Sequence, residues 1–161
     1  MDTLDEKRII DWGEDLVLDI PILDDQHRSL VRIINKLHVV GLKGSDTITR
    51  SFIEGTKEAI HYLRFHFATE EKLMIILDFP GVEEHTIANA AFMEEVINRS
   101  KELSEDNQYT PEALVSFLKD RFLSHISSYD NAFANYIFAM EHHKKFQFIL
   151  TRGKQLSPLS A

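Results

Sequence analysis

Residues 59–77 read AIHYLRFHFATEEKLMIIL, and this stretch decides the fold. Ala59, Leu63, His66, Glu70, Leu73 and Leu77 recur three or four residues apart, the period of one helix face. The stripe is apolar except at two positions, and those two are an imidazole and a carboxylate standing at i and i+4. On a helix that spacing brings them within about 6 Å of each other on the inward side. A helix that turns His66 and Glu70 into a core needs partners for them, and the remaining sequence supplies them.

Working outward, Pro21 precedes a stripe of Leu23, Leu30, Ile34 and Leu37 that ends near Gly41 and Gly44. Ser45 or Asp46 can cap the second helix, and Pro80-Gly81 stops it. The third helix carries His85, Asn89, Phe92, Val96 and Leu103 on one side, up to a polar break at Asn107 to Tyr109. Thr110 and Pro111 suit an N-cap and a first helical residue. The fourth helix carries Leu114, Leu118, Phe122, His125 and Tyr129 inward. From Asn131 to about Arg152 the pattern stays helical, as a prolongation of that helix or as a fifth one, with Gly153 as its stop. The expected fold is therefore all-α: an antiparallel up-down-up-down four-helix bundle with an N-terminal arm and a C-terminal helical extension. Its parts are an arm over 1–20 that contains Trp12, a bundle over 21–152 and a flexible tail over 153–161.

Composition agrees with one such unit. The chain has 161 residues, 43% of them hydrophobic, and only 6 glycines and 4 prolines, so a few long elements are favoured over many short ones. A net charge of −8 argues against a general binder of nucleic acid or anionic membrane, both of which need a basic surface. No cysteine is present, which excludes thiolate metal sites and thiol catalysis. The acidic first ten residues lack the apolar run of a signal peptide, and no stretch has the roughly 20 apolar residues that span a bilayer. A cytoplasmic protein is expected.

His27, His66, Glu70, His85, Asn89 and His125 all fall among apolar residues on inward faces. A buried polar group costs a few kcal/mol unless it is paired. A lone one is ordinarily a satisfied core residue, but several spread over four helices point to a shared centre. Asp130 lies five residues after His125, about 140° round an ideal helix, so it joins them only where the helix is irregular or the side chain swings across. Imidazole and carboxylate without thiolate suit iron, with zinc or manganese as competitors. Two carboxylates among four histidines suggest two ions, with Glu70 and Asp130 bridging; neither acid is expected to stay ionised in a metal-free core.

With these residues in place the sequence resembles the hemerythrin family over nearly its whole length. The resemblance is carried by Trp12, Asp24-Asp25-Gln26-His27, His66-Phe67-Ala68-Thr69-Glu70-Glu71, Phe79-Pro80-Gly81-Val82-Glu83-Glu84-His85, and His125-Ile126 with Asp130. It implies a non-haem di-iron site: one iron held at the positions of His27 and His66, the other at those of His85, Asn89 and His125. Glu70 and Asp130 would bridge the pair together with an oxo or hydroxo group. Dioxygen, or a similar diatomic or peroxide ligand, would bind at the iron with fewer histidines. The implied function is a carrier, store or sensor of dioxygen rather than an enzyme. The departure is Asn89, where the family carries histidine. An amide there can coordinate weakly, hold a coordinated water or do neither. An open position on the second iron would instead suit a di-iron oxidase, peroxidase or nitric oxide-processing enzyme, which needs a redox partner. A third reading is a metal-free interaction bundle.

Other polar features are set aside. His38 and His61 have no matching partner, and Glu58-Ala59-Ile60-His61 is a single Glu-x-x-His where ferritin-like sites need two. His142-His143-Lys144-Lys145 reads as a solvated cationic patch near a helix C-terminus. Residues 41–45 have the wrong spacing for a phosphate loop. Phe65, Phe67, Phe92, Phe117, Phe122 and Phe133 are expected in the core, some of them walling a dry pocket for a small apolar gas.

Overall fold

The structure is a computed structural model and describes residues 7–43, 49–105 and 109–140. Its helices are α1 (Pro21–Lys43), α2 (Arg50–Ile76), α3 (Val82–Glu105), α4 (Pro111–His125) and α5 (Asn131–Ala139). A π-helical turn, Ile126–Asp130, joins the last two. Contacts run between α1 and α2, α2 and α3, α3 and α4, and α4 and α1, which closes a four-helix ring with sequence neighbours side by side. All described regular structure is helical.

Local chemistry sets the ends. Pro21 and Pro111 open α1 and α4 at the position where a missing N–H costs nothing. The Thr110 hydroxyl accepts from the Ala113 N–H, as its sequence position leads one to expect. The cap of α2 is different from the expected one. Thr49, not Ser45 or Asp46, accepts from the Phe52 N–H at 3.2 Å, so α2 starts later; residues 45 and 46 lie outside the described residues. The α2–α3 turn passes through Asp78 at φ 54°, a left-handed conformation that a short acidic side chain tolerates. Its carbonyls at Leu77 and Asp78 lie 3.1 and 2.8 Å from the Tyr136 hydroxyl, while Phe79 packs on Phe133 and Tyr136. Gly81 is needed because the Phe79 ring stands 2.7 Å from where a Cβ would sit. Thus α5 clamps the turn that launches His85 on α3.

The first helix of the C-terminal extension is α5. It ends at Ala139, because Met140 is extended (φ −76°, ψ 127°) with its N–H bonded to the Ile137 carbonyl. The rest of the expected extension, the stop at Gly153, the tail over 153–161 and the cationic patch at His142-His143 lie outside the described residues, as does most of the Asn107–Tyr109 break. The arm rests on α1. Asn35 accepts from the N–H groups of Ile9 and Ile10 and donates to the Ile10 carbonyl, and Asp24 accepts from the Leu18 N–H at 2.8 Å. Ile10, Leu16, Leu18 and Ile20 are buried in the same core as the helices. No described helix is long and apolar enough to cross a membrane.

Candidate metal centre

Six side chains from all four bundle helices converge in the bundle interior, toward the end where α1 and α3 begin and α2 ends. His27 (α1), His66 and Glu70 (α2), His85 (α3), His125 (end of α4) and Asp130 (π turn) are each at most 3% exposed. Asp130 reaches the group because of the π turn: the Asn131 N–H bonds back five residues to the Ile126 carbonyl. One extra residue per turn brings positions five apart onto one face, as positions four apart are in an α-helix. The sequence condition for Asp130, a local irregularity, is met by this device.

The donor atoms fall into two groups, each within 4.8 Å: one on His27, His66, Glu70 and Asp130, the other on Glu70, His85, His125 and Asp130. The two carboxylates belong to both, and each divides its oxygens between them. Glu70 Oε1 is 3.1 Å from His66 Nε2, and Asp130 Oδ2 is 3.1 Å from His27 Nε2. On the other side Glu70 Oε2 lies 3.3 Å from His85 Nε2, and Asp130 Oδ1 lies 3.2 Å from both His85 and His125 Nε2. His125 Nε2 is farther from Glu70 Oε2, at 3.8 Å.

These separations suit cations better than hydrogen bonds. Two ligands at about 2.1 Å from one ion and at right angles stand about 3.0 Å apart. His27 and His66 face each other Nε2 to Nε2 at 3.1 Å, and with its Nδ1 proton given to Gln26 a neutral His66 presents its Nε2 lone pair inward. Glu70 Oε1, both Asp130 oxygens and the Nε2 atoms of His85 and His125 are buried with no hydrogen-bond partner. A cluster of unsatisfied donors of this kind is what bound cations explain, and nitrogen and carboxylate oxygen without sulfur fit iron. The residues fit the group that the sequence resemblance implies.

Without metal the electrostatics resolve differently from the sequence expectation. Burial opposes ionisation of Glu70, yet the imidazoles of His66, His125 and His85 hold its carboxyl well below the usual range. Burial and Glu70 push Asp130 up, but His125, His27 and His85 outweigh them and lower it. The reciprocal effect is on the histidines. Burial disfavours the charged rings of His85 and His125, but Asp130 and Glu70 raise both to about 9. The acids therefore stay ionised in a metal-free core because protons on the rings take the place of the cations.

Three further features surround the cluster. Gln26 accepts from His66 Nδ1 at 2.8 Å and donates to Thr69 Oγ1 at 3.1 Å; this fixes the ring with Nε2 aimed inward. Sequence reading placed Gln26 in a motif without a task, and its position next to His27 was the available signal. Phe122 packs on His27, and Phe67 and Phe92 on His125, at 5.2–5.9 Å between ring centres. Phe65 and Phe117 are only half-buried. Tyr129 stacks on His125 at 5.3 Å and, with His85, Phe79 and Ala132, lines a cavity of about 260 Å³.

Asn89 is buried at 1% exposure beside the cluster. Its Nδ2 lies 3.4 Å from Glu70 Oε2 and 3.3 Å from Glu71 Oε1, and its Oδ1 has no hydrogen-bond partner. Its amide is thus turned toward carboxylates. His38 and His61 contribute nothing to the cluster.

Comparison with known proteins agrees with this geometry. The family described as the hemerythrin HHE cation binding domain matches residues 18–137. A bacteriohemerythrin of Stenotrophomonas maltophilia (strain R551-3) is 28% identical over 137 residues, 81% of this chain and 87% of that protein. One from Pseudomonas aeruginosa (strain LESB58) is 27% identical over 131 residues, 81% of each chain. A solved structure, titled as that of a leucine-to-phenylalanine mutant, superposes with a TM-score of 0.71 at 19% identity, covering 80% of this chain and 96% of its own; it bears on fold alone.

Proposed function

Since the chain belongs to the hemerythrin family, we propose that it is a cytoplasmic non-haem di-iron protein that binds dioxygen as a carrier, store or sensor. The observation that carries this is the division of the Glu70 and Asp130 oxygens between two histidine pairs. A mononuclear site has no use for it. His27 and His66 would hold one ion, His85 and His125 the other, with both carboxylates spanning the pair. Two ferrous ions bound there supply the two electrons by which dioxygen is taken up.

The chain's own residues do the rest. The four imidazoles present Nε2, and Gln26 keeps the His66 ring from turning. The carboxylates balance the charge of the ions. Phe67, Phe92 and Phe122 exclude water from the cluster, which strengthens every charge interaction inside it. The test is iron content, followed by the visible spectrum of the reduced protein mixed with air. About two irons per chain and an oxygenated spectrum that reverses under vacuum are expected. Well-folded, colourless protein with a trace of metal after iron-rich expression would overturn the proposal.

Asn89 favours a second reading. Its amide faces Glu70 and Glu71 and not the histidines, which supports an exchangeable position at the His85–His125 iron. Two open irons suit an oxidase, peroxidase or nitric oxide-processing enzyme supplied by a redox partner. Rapid conversion to a spent ferric form with peroxide consumption distinguishes it from reversible binding. Asn89→His should then restore a long-lived oxygenated form; an unchanged spectrum would place Asn89 outside the metal shell.

A further inference from the structure

A groove of about 590 Å³ runs along the outer face of α1, on the side covered by the N-terminal arm and away from the metal cluster. Five bases line it: Arg8, Arg28, Arg32, Lys36 and Lys43. From Arg28 to Lys43 the helix spans about 22 Å, and positions 28, 32 and 36 form one stripe. Its floor is apolar, made by Ile10, Trp12, Val31, Val39 and Val40. Asn35 pins the Ile9–Ile10 backbone to α1 through three hydrogen bonds, so the two walls are fixed relative to each other.

The charge is the unexpected part. The chain carries 26 acids against 18 lysines and arginines, yet here five bases gather. Two of these bases meet described acids, Arg28 with Asp25 at 3.3 Å and Lys36 with Glu58 at 3.2 Å, both exposed pairs of small worth. The Arg28 guanidinium also sits 5.0 Å over the Trp12 ring. A positive rim above an apolar floor matches a ligand with the opposite charge at one end and an apolar body. The volume lies within the range of about 300–1,000 Å³ usual for small-molecule sites.

We propose that this groove is a binding site for a small amphiphilic organic anion, a carboxylate with an apolar body. Its head group pairs with Arg32 and Lys36, and its body lies on Trp12 and the valines. The site is independent of the metal centre.

Trp12 is the only tryptophan, so its fluorescence reports the groove directly. The iron-loaded full chain is titrated with octanoate, 1-octanol and acetate. Octanoate should give a saturable change, 1-octanol one at least tenfold weaker in affinity, and acetate none. Arg32→Glu with Lys36→Glu should weaken octanoate at least tenfold and leave iron content and Tm unchanged. No saturable change, equal affinity for octanoate and octanol, or indifference to the double variant would overturn the proposal. So would an acidic peptide of alternating Glu and Leu that displaces octanoate with a hundredfold tighter affinity, which would reassign the groove to a protein partner. A tenfold gain in octanoate affinity on Asp2→Asn, Asp5→Asn and Glu6→Gln would reassign it to the chain's own first residues.

Discussion

The two halves of the cluster share their carboxylates but are built differently. The His27–His66 half sits between α1 and α2, and there Gln26 holds His66 by a 2.8 Å hydrogen bond and is itself held by Thr69. The His85–His125 half sits between α3 and α4. His85 Nδ1 has no partner, as His27 Nδ1 has none in the other half, Asn89 lies beside this half with its amide toward Glu70 and Glu71, and His85 and Tyr129 line a cavity. Aromatic rings pack on both halves; one has a ring fixed by a hydrogen-bond chain, and the other, which borders a cavity, is the looser of the two. On the proposed di-iron reading, ligation could change at one ion while the other ion keeps the carboxylates in place.

The comparison breaks altogether if the bridge is removed. Glu70→Ala deprives both halves of a ligand, and the vacated space leaves four imidazoles facing one carboxylate. Iron content should fall from about two per chain to below about 0.5, and the loaded protein's Tm should drop by more than 10 °C, because metal binding contributes to folding stability. Retention of two irons would refute the bridging geometry. The π turn is tested next. Deleting Ser127, which is exposed, should convert the turn to ordinary helix and place Asp130 four residues after His125, still on the inward face. Iron content should then stay near two per chain with far-ultraviolet circular dichroism preserved. Loss of half the iron or more would show that the π geometry itself, and not only the facing of Asp130, is required.

That turn also marks where sequence reading reaches its limit. Inward faces were legible because three- and four-residue spacing is a property of the α-helix itself; His27, His66, Glu70, His85 and His125 follow from it directly. Asp130 does not, since nothing in Ile126-Ser127-Ser128-Tyr129 announces a π turn, and only the need for a second bridging acid and the family resemblance pointed there. The charge state of the metal-free core was misjudged for a related reason. The sequence brings acids and imidazoles to one centre, but it does not show that His85 and His125 lie close enough to both acids to hold the compensating protons. The cap at Thr49 was missed because Ser45, Asp46 and Thr49 are chemically similar and only geometry chooses among them. The helix end at Ala139 was missed because the apolar pattern runs on past it.

A smaller effect sharpens the contrast between the halves. Gln26→Leu removes the acceptor for His66 Nδ1 while keeping volume close, so His66 loses its orientation but remains a ligand. A loss of 10- to 100-fold in affinity is expected at the His27–His66 ion alone. It should be read from the biphasic removal of iron by a chelator, in which the faster phase now belongs to this half. If both phases quicken equally, the halves are not independently supported.

The smallest expected effect concerns protons. In the metal-free protein His85 and His125, raised to about 9 by Asp130 and Glu70, are charged at pH 7. Coordination requires neutral rings, so loading this half at pH 7 should release about two protons, a number that declines as pH rises through 9. The same shift has a signed consequence for folding. A raised histidine pKa stabilises the folded form fully below its unfolded value of 6.5, and that contribution is lost as pH rises through about 9. Metal-free protein should therefore lose Tm between pH 6.5 and 9, whereas loaded protein, whose rings are already neutral, should not, and the gap between the two melting curves widens. Parallel curves across that range would show that the rings of the looser half are not the groups that take over the charge when metal leaves.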